Sequence, residues 1–153
     1  MKRDTLPDGG GPVKRVVATG TFDLLHPGHI YYLEESRKLG DELHVIVARD
    51  ANVRHKPAPV IPENQRLRVV QALRIVDHAR LGDPVDMFRP IQEIRPAVIT
   101  LGFNQHFEES RLAAALAERG IRAQVVRIGE YQGDPICSSR RIVERILEMR
   151  AHE

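Results

Sequence analysis

Apolar positions along the chain follow two alternating patterns: short runs dense in Val, Ile and Leu, and longer stretches where apolar residues recur every three or four positions. The short runs, near residues 15–19, 43–48, 78–81, 97–101 and 124–128, read as buried strands. Helical spacing fills the intervals. One helix, 28–39, follows Pro27 and stops at Gly40, which reads as its C-terminal cap. A second begins after Pro62 and places Leu67, Val70 and Leu73 on one face. A shorter one, 86–94, ends at Arg95-Pro96, and an Ala- and Leu-rich one, 108–119, stops at Gly120. The last helix starts at the hydroxyl pair Ser138-Ser139 and carries a stripe of Ile142, Ile146 and Met149 that is expected to join the core. Strands alternating with helices predict the α/β class: a single Rossmann-like domain, with about five parallel strands and helices on both faces.

A length of 153 residues suits one domain with a core that needs no disulfides. Residues 1–12 are charged and glycine-rich without an apolar run, so they read as a disordered tail and not a signal peptide; residues 13–153 form the expected folded domain. The balance of 23 Lys plus Arg against 21 Asp plus Glu gives no strong electrostatic reason to expect DNA or RNA as a partner. Cys137 is the single cysteine and cannot form an internal disulfide, and no apolar stretch approaches the ~20 residues that cross a bilayer. A cytoplasmic protein is expected, with no membrane partner; a homodimer stays open.

In sheets of this kind ligands bind beyond the carboxyl ends of the strands, where strand order reverses. The stretches that follow the strands here, 20–29, 49–61, 102–107 and 129–139, are also the chemically particular ones. The first carries most information. Gly20 allows the backbone to turn and approach a ligand, Pro27 suits the first turn of a helix, and the helix mouth near Gly28 offers N–H groups and a positive dipole end to a polyanion. His26 and His29, three residues apart, can aim ring nitrogens at the same oxygens. A zinc site is a weaker reading, because no Cys or third His lies nearby in sequence to complete it.

The other stretches add candidates, each with a plainer alternative. The long loop 49–61 brings Arg54 and Lys56, which can clamp a phosphate or stay solvated; Arg66, opening the next helix, is a further phosphate candidate or a surface arginine. Asn104 offers an amide to a base or ribose, or serves a tight turn. Tyr131 can stack on a purine or flavin ring, or cover the core edge. Ser138, Ser139 and Arg140 make a second helix start suited to phosphates. Asp23 either holds a metal or orients the backbone at the strand end, and the sequence does not choose. Neither a Gly-x-x-x-x-Gly-Lys-Ser/Thr run nor a Gly-x-Gly-x-x-Gly run is present, which argues against a P-loop kinase and against a dinucleotide oxidoreductase. No covalent nucleophile stands out. The pieces suit direct attack by a substrate phosphate on the α-phosphorus of a nucleoside triphosphate, with a divalent cation, Mg²⁺ by expectation, bridging the triphosphate.

The run Gly20-Thr21-Phe22-Asp23-x-x-His26-x-Gly28-His29 resembles the signature of the nucleotidyltransferase superfamily that includes glycerol-3-phosphate cytidylyltransferase, pantetheine-phosphate adenylyltransferase and archaeal FAD synthase. Over roughly residues 13–149 the chain is similar to the archaeal FAD synthases in particular. The matching segments are Val45-Ile46-Val47-Ala48-Arg49, Lys56 with Pro62 and Gln65-Arg66, Leu101-Gly102-Phe103-Asn104-Gln105, and the Ser138-Ser139 helix. The resemblance implies transfer of AMP from ATP to FMN, with Thr21, Phe22, His26, Pro27, Gly28, His29, Asn104 and Tyr131 contacting ATP. The family often has Asp at the place of Asn104 and Ser-Thr at the place of Ser138-Ser139, and some members carry a C-terminal cysteine pair where this chain has only Cys137. The alternatives are cytidylyl transfer from CTP to glycerol 3-phosphate or a related phospho-alcohol, and a nucleotide-binding module without turnover.

Overall fold

The computed structural model describes residues 12–153, so the expected tail, residue 12 apart, lies outside the described residues. Five strands, β1 (Arg15–Gly20), β2 (Glu42–Val47), β3 (His78–Leu81), β4 (Val98–Leu101) and β5 (Gln124–Arg127), form one parallel sheet in the order β3-β2-β1-β4-β5. The chain works outward from β1 to the edge strand β3, then returns to place β4 on the other side of β1. Strand order therefore reverses between β1 and β4, and the site expected at a reversal lies beyond Gly20 and Leu101.

Alternate residues of the strands bury on opposite faces. Val16, Ala18, Leu43, Val45 and Val47 pack with Leu33 of α1 (Pro27–Arg37) and Val70 of α2 (Glu63–Ala72), with Leu67 and Leu73 packed against that group. Val17, Ile46, Ile99 and Leu101 pack with Ile91 and Ile94 of α3 (Arg89–Ile94) and Leu112 and Leu116 of α4 (Glu109–Glu118). Two helices thus cover each face. Each of these Val, Leu and Ile side chains contributes about 1.5–3 kcal/mol by leaving water, and burial on both faces gives the strands their continuous apolar runs.

Three local expectations need correction. The helix expected from residue 86 starts only at Arg89, because the Asp83 carboxylate takes the amides of Val85 and Asp86, and Asp86 takes that of Phe88, winding those residues into turns. Gly40 does not end α1 by a left-handed conformation; a Cβ there would lie 2.5 Å from the Lys14 carbonyl oxygen, so the residue is small to let the start of β1 pass. Gly120, with φ 77°, is the left-handed helix stop that the sequence suggests. The third correction concerns α5 (Ser139–Arg150). None of its residues is buried: Ile142 is half-buried, and Ile146 and Met149 are 50% and 55% exposed. The stripe is an amphipathic surface, because the sheet faces are already filled by α1 to α4. Among the described residues no helix is long and apolar enough to cross a membrane.

Candidate active site

The loop leaving β1 is held in an unusual path. Phe22 and Leu24 have φ of 55° and 47°, a left-handed conformation that costs a bulky residue on the order of 1–3 kcal/mol and persists only where surroundings enforce it. The enforcement comes from several sides. Phe22 is buried 5.5 Å from the His29 ring, and Arg66, 1% exposed, donates to the Thr21 carbonyl, the Ile61 carbonyl and Asp50. Both oxygens of Asp23 accept backbone amides, from Val60 at 2.8 Å and Ile61 at 2.9 Å, and Ser139 Oγ donates to the Asp23 carbonyl. Asp23 therefore orients backbone, and Arg66 spends each guanidinium nitrogen on a protein acceptor.

These bonds bring the starts of α1 and α5 together. The Cys137 carbonyl approaches Gly28 so closely that a Cβ on Gly28 would lie 2.8 Å from it. Ser138 Oγ accepts the Arg141 amide and caps α5, leaving the first amides of that helix without intrahelical partners. At α1 the helix mouth differs from the sequence reading. His26 is itself the N-cap, and its Nδ1 accepts the Gly28 amide at 3.1 Å, so that amide is not free for a ligand. With Nδ1 accepting, the neutral His26 ring carries its proton on Nε2, which makes that nitrogen a donor.

The His29 ring stacks on His26, with centroids 3.8 Å apart, and its Nδ1 is buried without a partner. Burial pushes its pKa down to about 3, helped by His26 when that ring is itself protonated and by the Lys56 ammonium. Burial also lowers His26. Two neutral imidazoles therefore stand at the mouth of α1 at neutral pH. Lys56 has its own ammonium weakened by desolvation, although solvent reaches it; Asp23 opposes that shift and Arg66 adds to it. The loop that carries Lys56 meets the loop after β4 where His55 and His106 rings lie 5.2 Å apart.

Beside the rings a cleft of about 860 Å³ opens over the carboxyl end of the sheet. Gly28, Asn104, Tyr131, Ser138 and Arg140 line it, joined by Tyr32, Phe103 and Arg141. Tyr131 stacks on Tyr31 at 5.3 Å and donates to Asp134, and Asn104 is exposed. Pro27 is exposed at the first turn of α1, and Arg54 is exposed on its loop. His26, His29, Lys56, Thr21, Phe22, Asp23, Ser139 and Arg66 do not line it.

Two supporting residues escaped sequence reasoning. The Tyr32 hydroxyl, its pKa raised to about 12 by burial, bonds the Thr19 and Thr100 carbonyls and so ties β1 to β4 at the reversal point. Its position three after His29 on α1 was the available signal. Arg127 on β5 donates to the carbonyls of Gly102, Gln105 and Phe107, fixing the loop that presents Asn104; nothing in the local sequence marks it. A resident metal finds few ligands here. Asp23 is committed to amides, and among the described residues the one cluster of three ligand-type groups is Glu42, His44 and His78, toward the opposite end of the strands.

Comparison with known proteins agrees with this architecture. The family model described as cytidylyltransferase-like matches residues 17–145. An FAD synthase of Methanolacinia petrolearia is 67% identical over 141 residues, covering 92% of this chain and 95% of the relative, and one of Methanoculleus marisnigri is 69% identical over 136 residues, covering 89% and 91%. A crystal structure titled lipopolysaccharide core biosynthesis protein, from Thermoplasma volcanium, superposes with a TM-score of 0.76 at 47% identity, over 79% of this chain and all of that one. On the match over residues 17–145 and the identity across nine-tenths of its length, the chain belongs to the cytidylyltransferase-like nucleotidyltransferases and, within them, to the family of the archaeal FAD synthases.

Proposed function

We propose that this chain is an FMN adenylyltransferase, joining the AMP moiety of ATP to FMN to give FAD and pyrophosphate. One observation carries the chemistry: two stacked, neutral imidazoles stand where the starts of two helices converge, beside a cleft of nucleotide size. Relatives named FAD synthase, at 67–69% identity over about nine-tenths of the chain, support the choice of substrates over CTP and glycerol 3-phosphate.

The triphosphate lies across the mouths of α1 and α5, and the base and ribose occupy the cleft beside Asn104 and Tyr131. A phosphate oxygen of FMN attacks the α-phosphorus in line; the new P–O bond forms as the α–β bridging bond breaks, and pyrophosphate leaves. The Nε2–H of His26 and the ring of His29 donate to oxygens that gain charge in this step. Being neutral, they are pre-aimed dipoles, and burial makes each worth more than it would be in water. The dipole ends of both helices add to the same field. Lys56, Ser138 and Arg140 hold the outer phosphates; Arg66, Asp23 and Ser139 keep the loop in place behind them. The ligands offered here do not make a cage for a resident ion, so a divalent cation such as Mg²⁺ would be carried by the triphosphate and would offset its charge.

Both substrates are intracellular metabolites, which puts the reaction in the cytoplasm. A homodimer would find its surface on the exposed stripe of α5. The reading is tested by incubating the protein with Mg²⁺ and either ATP or CTP, and either FMN or glycerol 3-phosphate. FAD and pyrophosphate from ATP and FMN alone are expected; CDP-glycerol as the main product, or nucleotide binding without turnover in any mixture, overturns it.

A further inference from the structure

Strand register sets His44 of β2 beside His78 of β3, and Glu42, two residues before His44, points to the same face of the sheet. The two rings stack at 4.6 Å, His44 Nε2 lies 2.9 Å from Glu42 Oε2, and one ligand atom from each of the three residues falls within 4.8 Å of the others. A cavity of about 510 Å³ opens beside them, walled by Ile94 and Arg95 at the end of α3. This place is toward the amino ends of the strands, away from the nucleotide cleft, and nothing in the transfer chemistry uses it.

We propose that Glu42, His44 and His78 form a second site that binds one borderline transition-metal ion, of the Zn²⁺ or Co²⁺ type. A tetrahedral ion with bonds of about 2.0–2.1 Å holds its ligand atoms roughly 3.4 Å apart. Glu42 and His44 are already that close, and His78 is exposed at the start of β3, so its ring is free to swing the rest of the way. Two imidazoles and a carboxylate select such ions over Mg²⁺, which prefers six oxygens. The proton that His44 Nε2 shares with Glu42 can move to Nδ1, which frees the ligating lone pair. The cavity supplies the fourth position for water.

The surrounding charges set limits. Arg15 faces the same Glu42 oxygen at 3.7 Å, and Arg80 and Arg95 line the cavity, with Arg80 held by Glu93 at 2.6 Å. The ion must displace Arg15 from Glu42, so the site is of moderate affinity and reversible. Binding would clamp the four-residue edge strand β3 to β2, raising thermal stability.

The experiment is a Co²⁺ titration of the full chain, followed by visible absorption and by the thermal midpoint. One saturable equivalent with the strong visible bands of four-coordinate cobalt is expected, together with a rise in midpoint. His78→Ala and His78→Gln should each weaken binding by about tenfold or more and abolish the rise, while leaving FAD formation with Mg²⁺ unchanged. His26→Ala should keep the cobalt spectrum. Wild-type affinity in both His78 variants, loss of the spectrum in His26→Ala, or no single saturable equivalent below about 1 mM overturns the proposal.

Discussion

Gly28 is the point where the two helix starts touch, so enlarging it perturbs the site without removing any functional group. A Cβ there would lie 2.8 Å from the Cys137 carbonyl oxygen and 2.9 Å from the His26 ring, whereas ordinary contact begins at 3.4 Å. Gly28→Ala must therefore part the two segments by about 0.6 Å, and overpacking of this kind costs about 1–3 kcal/mol. Replacing glycine in a helix returns roughly 0.5–1 kcal/mol, so the net loss of stability should be near 1 kcal/mol. Activity should suffer more. A 1 Å misplacement of positioned groups costs about a hundredfold, so kcat should fall on the order of tenfold. Urea midpoints and steady-state FAD formation at saturating ATP and FMN measure the two effects, with Gly82→Ala, whose Cβ would meet nothing closer than 3.7 Å, as the control. A Gly28→Ala enzyme with unchanged kcat would refute the claim that the contact between α1 and α5 sets the geometry of the phosphate cradle.

Three further outcomes follow from the same structure. His29 has a folded pKa of about 3 against an ordinary 6.5, so between those values the unfolded chain binds a proton that the folded one refuses; stability should fall as pH drops through this window, by up to about 1.4 kcal/mol per unit, and urea midpoints of His29→Ala should show a shallower fall than those of the parent. Arg66→Met should destabilise by about 2–3 kcal/mol, because it strands the Thr21 and Ile61 carbonyls together; a change under about 0.5 kcal/mol in denaturant unfolding would contradict its role as the loop's anchor. Ile146→Asp on exposed α5 should change stability by less than about 0.5 kcal/mol, and a loss of several kcal/mol would restore that stripe to a buried interface.

The architecture was largely legible in the sequence because both devices behind it are local. Val-rich runs buried on both sides and helices with one apolar face announce a covered parallel sheet, and strand ends then locate the cleft. What was not legible depends on partners distant in the chain. The stripe of α5 has the spacing of a core face, yet whether it is buried depends on α1 to α4 having already filled the sheet. Gly40 looks like a helix stop but answers to Lys14, 26 residues earlier, and Arg66 looks like a phosphate clamp but answers to Thr21, 45 residues earlier. At the site, the spacing of His26 and His29 suggested convergent rings, and the structure stacks them. That His26 would use one nitrogen to cap its own helix depends on a backbone of φ −148° and ψ 172°, which the spacing of the two histidines does not specify.

The proposed transfer rests on two neutral rings at the mouth of α1 that stabilise charge on the triphosphate as AMP passes to FMN. Its most direct test is the single-turnover rate of FAD formation by His29→Ala with ATP and FMN both saturating. A fall of about 10²–10³-fold is expected, with little change in ATP affinity. A rate within about twofold of the parent, at wild-type stability, would contradict it.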